Sequence, residues 1–154
     1  MNNKQFIIRD ALQDDLAKAK DLADDLRDEL GFIKSSVFIE VIRKKCFIVC
    51  AIDNNVIGFV LFNYRGGTDI TIRYMGVDKR YRRQGIATAM LRNIEQKVID
   101  NGGHTIHLKC PIDSQANIFY QQFGFIHTAS EFKRDGSGIK IYYYEVASDQ
   151  PKLL

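Results

Sequence analysis

Long apolar runs are missing from this chain of 154 residues, and none approaches the ~18 residues that a helix needs to cross a bilayer. The opening Met1-Asn2-Asn3-Lys4-Gln5 has no apolar core of the kind that a secretory signal carries. Proline is scarce, at two residues, and the 45% hydrophobic and 27% charged content lies far from disordered, collagenous or low-complexity chains. Cysteine is few and odd in number: Cys46, Cys50 and Cys110 each sit in an apolar run that reads as strand, which implies buried free thiols and not a disulfide framework. Cys46 and Cys50 share one face of an extended segment, but no His or further Cys follows at ligand spacing, so no metal is expected. The net charge of +3, from 22 basic and 19 acidic residues, is too small to argue for nucleic acid as a partner. These absences imply a soluble, cytoplasmic protein with neither a membrane nor a nucleic-acid partner. The length predicts one domain over residues 1–154, with a core at about 5–147 and a frayed tail at 148–154.

What is present alternates between two periodicities. Phe6-Ile7-Ile8-Arg9 is a short strand, and Leu16, Ala19, Leu22, Ala23, Leu26 and Leu30 recur at helical spacing behind Asp14 and Asp15, up to Gly31. Ser35 or Ser36 suits the start of a second short helix, although Val37, Ile39, Val41 and Ile42 also suit a strand. Cys46–Ile52 and Val56–Phe62 flank Asp53-Asn54-Asn55 as an antiparallel hairpin. Another strand covers Ile70–Val77, a basic loop covers Asp78–Gly85, and Ile86, Ala89, Met90, Leu91, Ile94 and Val98 form a helix that Asn101-Gly102-Gly103 stops. His104–Cys110 alternates as a strand, so strand, helix and strand describe a crossover whose two strands run parallel. Pro111 ends that strand, Ser114 caps a short helix at Gln115–Phe123, and Phe125–Phe132 pairs with Ile139–Val146 in a last hairpin. The expected fold is α/β with a mixed, mostly antiparallel sheet covered by helices.

The loop carries the chemistry. Arg82-Arg83-Gln84-Gly85-Ile86-Ala87-Thr88 leads from a strand into a helix start, where unpaired backbone N–H groups and the helix dipole favour an anion. Gly85 and Ala87 let the backbone approach a pyrophosphate, and Lys79, Arg80, Arg82 and Arg83 add charge around it. The spacing fits neither the three-glycine dinucleotide fingerprint nor a P-loop. A basic surface turn ahead of a helix is the alternative.

The strand end Met75-Gly76-Val77, followed by Arg82-Arg83-Gln84-Gly85-Ile86-Ala87 and a helix, resembles the acetyl-coenzyme A motif Gln/Arg-x-x-Gly-x-Gly/Ala of the GNAT superfamily of N-acetyltransferases. A second segment, Ala116-Asn117-Ile118-Phe119-Tyr120-Gln121-Gln122-Phe123-Gly124-Phe125, resembles that family's later helix, and the two occur in the family's order. The resemblance implies a V-shaped splay in the sheet, with helices on both of its faces. Pantetheine would lie between Met75, Gly76 and Val77 on one arm and His107 to Cys110 on the other. It also implies Asn117 toward the pantetheine, Tyr120 toward the thioester sulfur, and acetyl-CoA with an amine of a small molecule or protein as the two partners. A homodimer is compatible with this, and no metal is required.

Attack of an amine on an acetyl thioester needs a base for the ammonium proton, a donor for the developing oxyanion and an acid for the leaving thiolate. Tyr120 is the candidate acid, because it lies three residues from Asn117 on one helix face; the same spacing suits an aromatic face packed on the sheet. The base is open. The glutamate that several family members carry falls here on Thr71, and Glu40, Asp69, Asp113 and Glu131 are substitutes that also read as ordinary solvated charges. Thr71, Arg73 and Met75 share a strand face, so Arg73 either favours an acidic acceptor or pairs with a neighbouring acid. His104, His107 and His127 read as strand or turn residues. A sensor of acyl-coenzyme A without turnover is the alternative function, and a nucleic-acid binder using residues 79–83 is weaker.

Overall fold

The computed structural model describes residues 5–147, so the tail expected at 148–154 lies outside the described residues. The strands are β1 (Ile7–Asp10), β2 (Phe47–Ile52), β3 (Asn55–Arg65), β4 (Asp69–Val77), β5 (Thr105–Pro111), β6 (Ile126–Phe132) and β7 (Gly138–Glu145). The helices are α1 (Asp15–Asp25), α2 (Arg27–Leu30), α3 (Ser35–Arg43), α4 (Ile86–Asp100) and α5 (Ala116–Phe123), with a 3-10 turn at Lys79–Tyr81. The sheet has seven strands in the order β1-β2-β3-β4-β5-β7-β6. Among the described residues, one unit holds 5–63 together with Arg73–Asn93, and a second holds Tyr64–Ile72 together with 94–147.

In the first unit every residue of β2 is buried, which explains a strand that is a continuous apolar run without alternation. Asn55 pairs with Ile52, so the turn has two residues, Asp53 and Asn54, and Asn55 belongs to the strand. Asp53 takes the left-handed conformation (φ 53°) that Asp tolerates in tight hairpins. The single helix expected from Asp14 to Leu30 is broken at Leu26 (φ −97°, ψ 15°), where one N–H is shared between the carbonyls of Leu22 and Ala23. The apolar period runs unbroken through the break, so the sequence carries no sign of it. Ser35–Arg43 resolves as helix and not strand, burying Phe38 and Val41 three apart, and Ser35 is its first helical residue with Lys34 as N-cap.

In the second unit β4 and β5 are parallel, with Ile70, Thr71 and Ile72 opposite Ile106, His107 and Leu108, as a crossover requires. The pairs β5–β7 and β6–β7 are antiparallel. The N-cap of α5 is Gln115 and not Ser114, although Ser114 lies one residue ahead of it and its hydroxyl accepts a hydrogen bond from the N–H of Ala116 at 3.1 Å.

Cys46, Cys50 and Cys110 are buried free thiols, and burial pushes Cys50 up to about 11, which makes it a poor nucleophile. Among the described residues no helix is long and apolar enough to cross a membrane, and no group of three or more His, Cys, Asp or Glu is arranged to hold a metal ion.

Candidate active site

Arg82, Arg83, Gln84, Gly85 and Thr88 are exposed, Ala87 is half-buried, and only Ile86 turns inward as the first residue of α4. Gly85 has φ +80° and nothing within 4 Å of where a Cβ would stand, so its backbone favours glycine and the space before it is open. Arg83 is also left-handed, at φ 63°. The N–H groups of the first turn of α4 have no intrahelical acceptor, as at any helix start.

The loop cations are not equivalent. Arg82 donates through Nη1 and Nη2 to both oxygens of Glu29, at 2.8 and 2.6 Å, and through Nε to the carbonyl of Val77 at 3.2 Å. Lys79 bonds Asp28 at 3.0 Å, and Arg80 bonds Asp78 at 2.9 Å. Arg83 alone of the four has no ion pair among the described residues. The acids of α2 therefore hold two of the four cations, an arrangement the sequence gives no way to see across fifty residues. Gly76 has a packing reason to be glycine: a Cβ there would stand 2.9 Å from Leu26 and 3.1 Å from both Leu30 and Phe59. Met75 and Val77 are half-buried on either side of it.

On α5, Asn117 and Tyr120 are both buried. The Asn117 Nδ2 group donates to the carbonyls of Pro111, Ile112 and Ser114 at 2.7, 3.2 and 2.8 Å, and Oδ1 accepts from the Tyr142 hydroxyl at 2.8 Å. Gln121 donates to the same Tyr142 oxygen at 3.1 Å. Asn117 thus ties the end of β5 to the start of α5, and Tyr142, fully buried on β7, anchors it.

The ring of Tyr120 packs edge-on against Phe119 and Phe125, with centroids at 5.5 and 5.6 Å, and tilted against Tyr142 at 6.3 Å. Its hydroxyl makes no hydrogen bond among the described residues. Burial, and secondarily Cys110, hold the phenol well above its ordinary range, so it stays protonated at neutral pH. The two readings of Tyr120 are therefore compatible: the ring belongs to an aromatic cluster, and the oxygen is uncommitted.

Three of the four carboxylates considered as bases have partners, and Asp113 makes no hydrogen bond or ion pair among the described residues. Glu40 bonds Lys44 at 3.0 Å and lies 3.8 Å from Arg73, and Glu131 lies 3.6 Å from Lys109. Asp69 accepts from the N–H groups of His104 and Thr105 at 2.7 and 3.2 Å and from the Thr105 hydroxyl at 2.7 Å. These bonds, that from His104 first, hold its carboxyl below the ordinary range. Arg73 thus has a neighbouring acid.

Residues 20–145 match the Acetyltransferase (GNAT) domain family. The chain belongs to that family. Among solved structures, Ard1 from Thermoplasma volcanium is 22% identical with a TM-score of 0.83, covering 93% of this chain and 99% of that one. The ribosomal-protein-S18-alanine N-acetyltransferase of Escherichia coli is 18% identical with a TM-score of 0.78, covering 97% and 99%. The yncA protein of Salmonella typhimurium, solved with its cofactor acetyl-CoA, is 14% identical with a TM-score of 0.74, covering 97% and 99%. At these identities the likeness establishes the fold, and the match to the family rests on the sequence itself.

Proposed function

We propose that this GNAT domain moves an acetyl group from acetyl-CoA to a primary amine of a small molecule or protein, as a single catalytic domain in the cytoplasm. The observation that carries the reading is the Tyr120 hydroxyl. It is protonated and makes no hydrogen bond among the described residues, at the end of a buried ring, in the segment whose family counterpart faces the thioester sulfur. A phenol that the protein leaves unbonded is free to donate to a ligand atom.

The pyrophosphate is assigned to the N–H groups at Gly85, Ile86, Ala87 and Thr88, with charge from Arg83 and Arg82 and an amide from Gln84. Met75, Gly76, Val77 and Asn117 are assigned to the pantetheine arm on the family pattern. For Asn117 this role shares a side chain that already holds the β5–α5 turn, so its loss acts on stability as well.

Acetyl-CoA supplies an activated acyl group. Tyr120 Oη then gives its proton to the departing sulfur as general acid, an interaction made only as the bond breaks. The testing experiment measures free thiol released from acetyl-CoA over a panel of amines, amino acids, polyamines and peptides. Turnover on at least one acceptor is expected. Tight binding of acetyl-CoA with no turnover on any of them contradicts the transferase reading and supports the sensor.

A further inference from the structure

The second unit holds a polar chain that no role above uses. Asp69 opens β4, and Thr105 and His107 lie two apart on one face of β5. The Thr105 hydroxyl donates its one hydrogen to Asp69 Oδ2 at 2.7 Å and lies 2.8 Å from His107 Nε2. A hydroxyl has a single proton, so the second bond must be donated by the ring, which fixes His107 as the Nε2–H tautomer and leaves Nδ1 with a lone pair. Asp69 is itself locked by the N–H groups of His104 and Thr105, so the chain is anchored at its far end.

We propose that His107, oriented through Thr105 by Asp69, is the general base that takes the ammonium proton of the acceptor amine. This rests on the transferase reading above. It adds to that reading the base that Thr71 cannot supply and that the paired Glu40, Asp69 and Glu131 do not offer. His107 lies in the 107–110 segment assigned to the pantetheine arm, on the face of β5 opposite to Cys110, which neighbours Tyr120. Acid and base therefore come from opposite faces of one strand.

The protons balance. One ammonium proton passes to His107 Nδ1 and then to solvent, and the freed amine nitrogen bonds the acetyl carbon as the carbon–sulfur bond breaks. The thiolate takes the Tyr120 proton, and the second proton shed by the nitrogen restores the phenol. The products are amide, free thiol and one proton.

The groups facing the ring are Arg65 from the end of β3, Asp69 and Thr71 from β4, Lys109 on its own strand, and Tyr143, its partner across β7. Burial first, and then Arg65, hold the imidazole below its ordinary value, against the opposing pull of Asp69. The ring is thus neutral and able to accept a proton at pH 7.

The experiment compares wild type, His107→Gln and Thr105→Val with whichever amine of the panel turns over. For His107→Gln, acetyl-CoA affinity within about twofold of wild type and a fall in kcat/KM of about 10² or more at pH 7 are expected. The acid limb of the wild-type profile, below pH 6.5, should vanish and be replaced by a rate that climbs to the amine's own pKa. Thr105→Val should keep the limb but shift it. Nitrogen-15 spectra of the ligand-free wild type should report the Nε2–H tautomer whether or not an acceptor is known. An unchanged pH profile in folded His107→Gln, or an Nδ1–H ring, overturns the assignment. Absence of turnover in wild type on every amine overturns the transferase reading first, so the two failures are distinguishable.

Discussion

Replacing Tyr120 by Phe separates chemistry from packing, because only an uncommitted oxygen is removed. The ring contacts with Phe119, Phe125 and Tyr142 survive, and no donor or acceptor on the protein is orphaned. Folding stability should therefore change by less than about 1 kcal/mol. The control is Tyr142→Phe, which removes the donor to the buried Asn117 Oδ1 and an acceptor for Gln121. Leaving such a group unsatisfied costs about 1 to 3 kcal/mol, which lowers the melting temperature by roughly 3 to 10 °C for a chain of this size. Activity should rank the two variants in the opposite order. If Tyr120 protonates the leaving thiolate, its hydroxyl acts on the transition state alone, and Tyr120→Phe should lower kcat by about 10², equivalent to roughly 2.7 kcal/mol. The dissociation constant for acetyl-CoA should stay nearly constant. Thermal melts, calorimetric titration and thiol-release kinetics on both proteins supply the comparison. Full kcat in Tyr120→Phe would mean that water protonates the sulfur and that the residue is only part of the aromatic cluster.

Asn117→Ala removes an amide whose two hydrogens are shared among three carbonyls and whose oxygen accepts from Tyr142, so it should destabilise by about 2 to 4 kcal/mol in a denaturant melt and weaken acetyl-CoA binding, with a smaller effect on kcat. Glu29→Gln removes the carboxylate that competes with a pyrophosphate for Arg82 and should tighten acetyl-CoA by roughly two- to fivefold at low salt, an advantage that added salt erodes; weaker binding would show that Glu29 helps by orienting Arg82. Asp69 has a folded pKa below its ordinary 3.8, so its contribution to stability is complete above that value and is lost as pH falls through the lower one. Asp69→Asn should accordingly flatten the acid limb of stability against pH, and an unchanged limb in chemical melts from pH 5 to 2 would contradict this.

The elements were legible wherever a local pattern decided them. The continuous apolar run of β2, the helical spacing of α4 and the hairpin of β6 and β7 each follow from neighbouring residues, and the parallel β4–β5 pair follows from the crossover between them. The break at Leu26 was not legible, because the apolar period of Leu22, Leu26 and Leu30 runs through it without a Gly or Pro to mark it. The loop from Arg82 to Thr88 stood out by composition, yet nothing in its composition tells that Glu29 takes Arg82 and leaves Arg83 unpaired. His107 looked like an ordinary strand residue for the same reason. Its partner Thr105 is near in sequence, but Asp69, which fixes the direction of both hydrogen bonds, comes from another strand.

The central claim is that acetyl-CoA binds at the loop that opens α4, and titration of acetyl-CoA into wild type and Gly85→Glu tests it most directly. Gly85 faces open space, so the variant is expected to fold despite the backbone strain of a side chain at φ +80°. Wild type should bind saturably and gain ~2.7 kcal/mol of stability at a hundred times its dissociation constant. Gly85→Glu, with a carboxylate set where the pyrophosphate belongs, should gain none. Equal stabilisation of the folded variant, or none in wild type, would contradict the account.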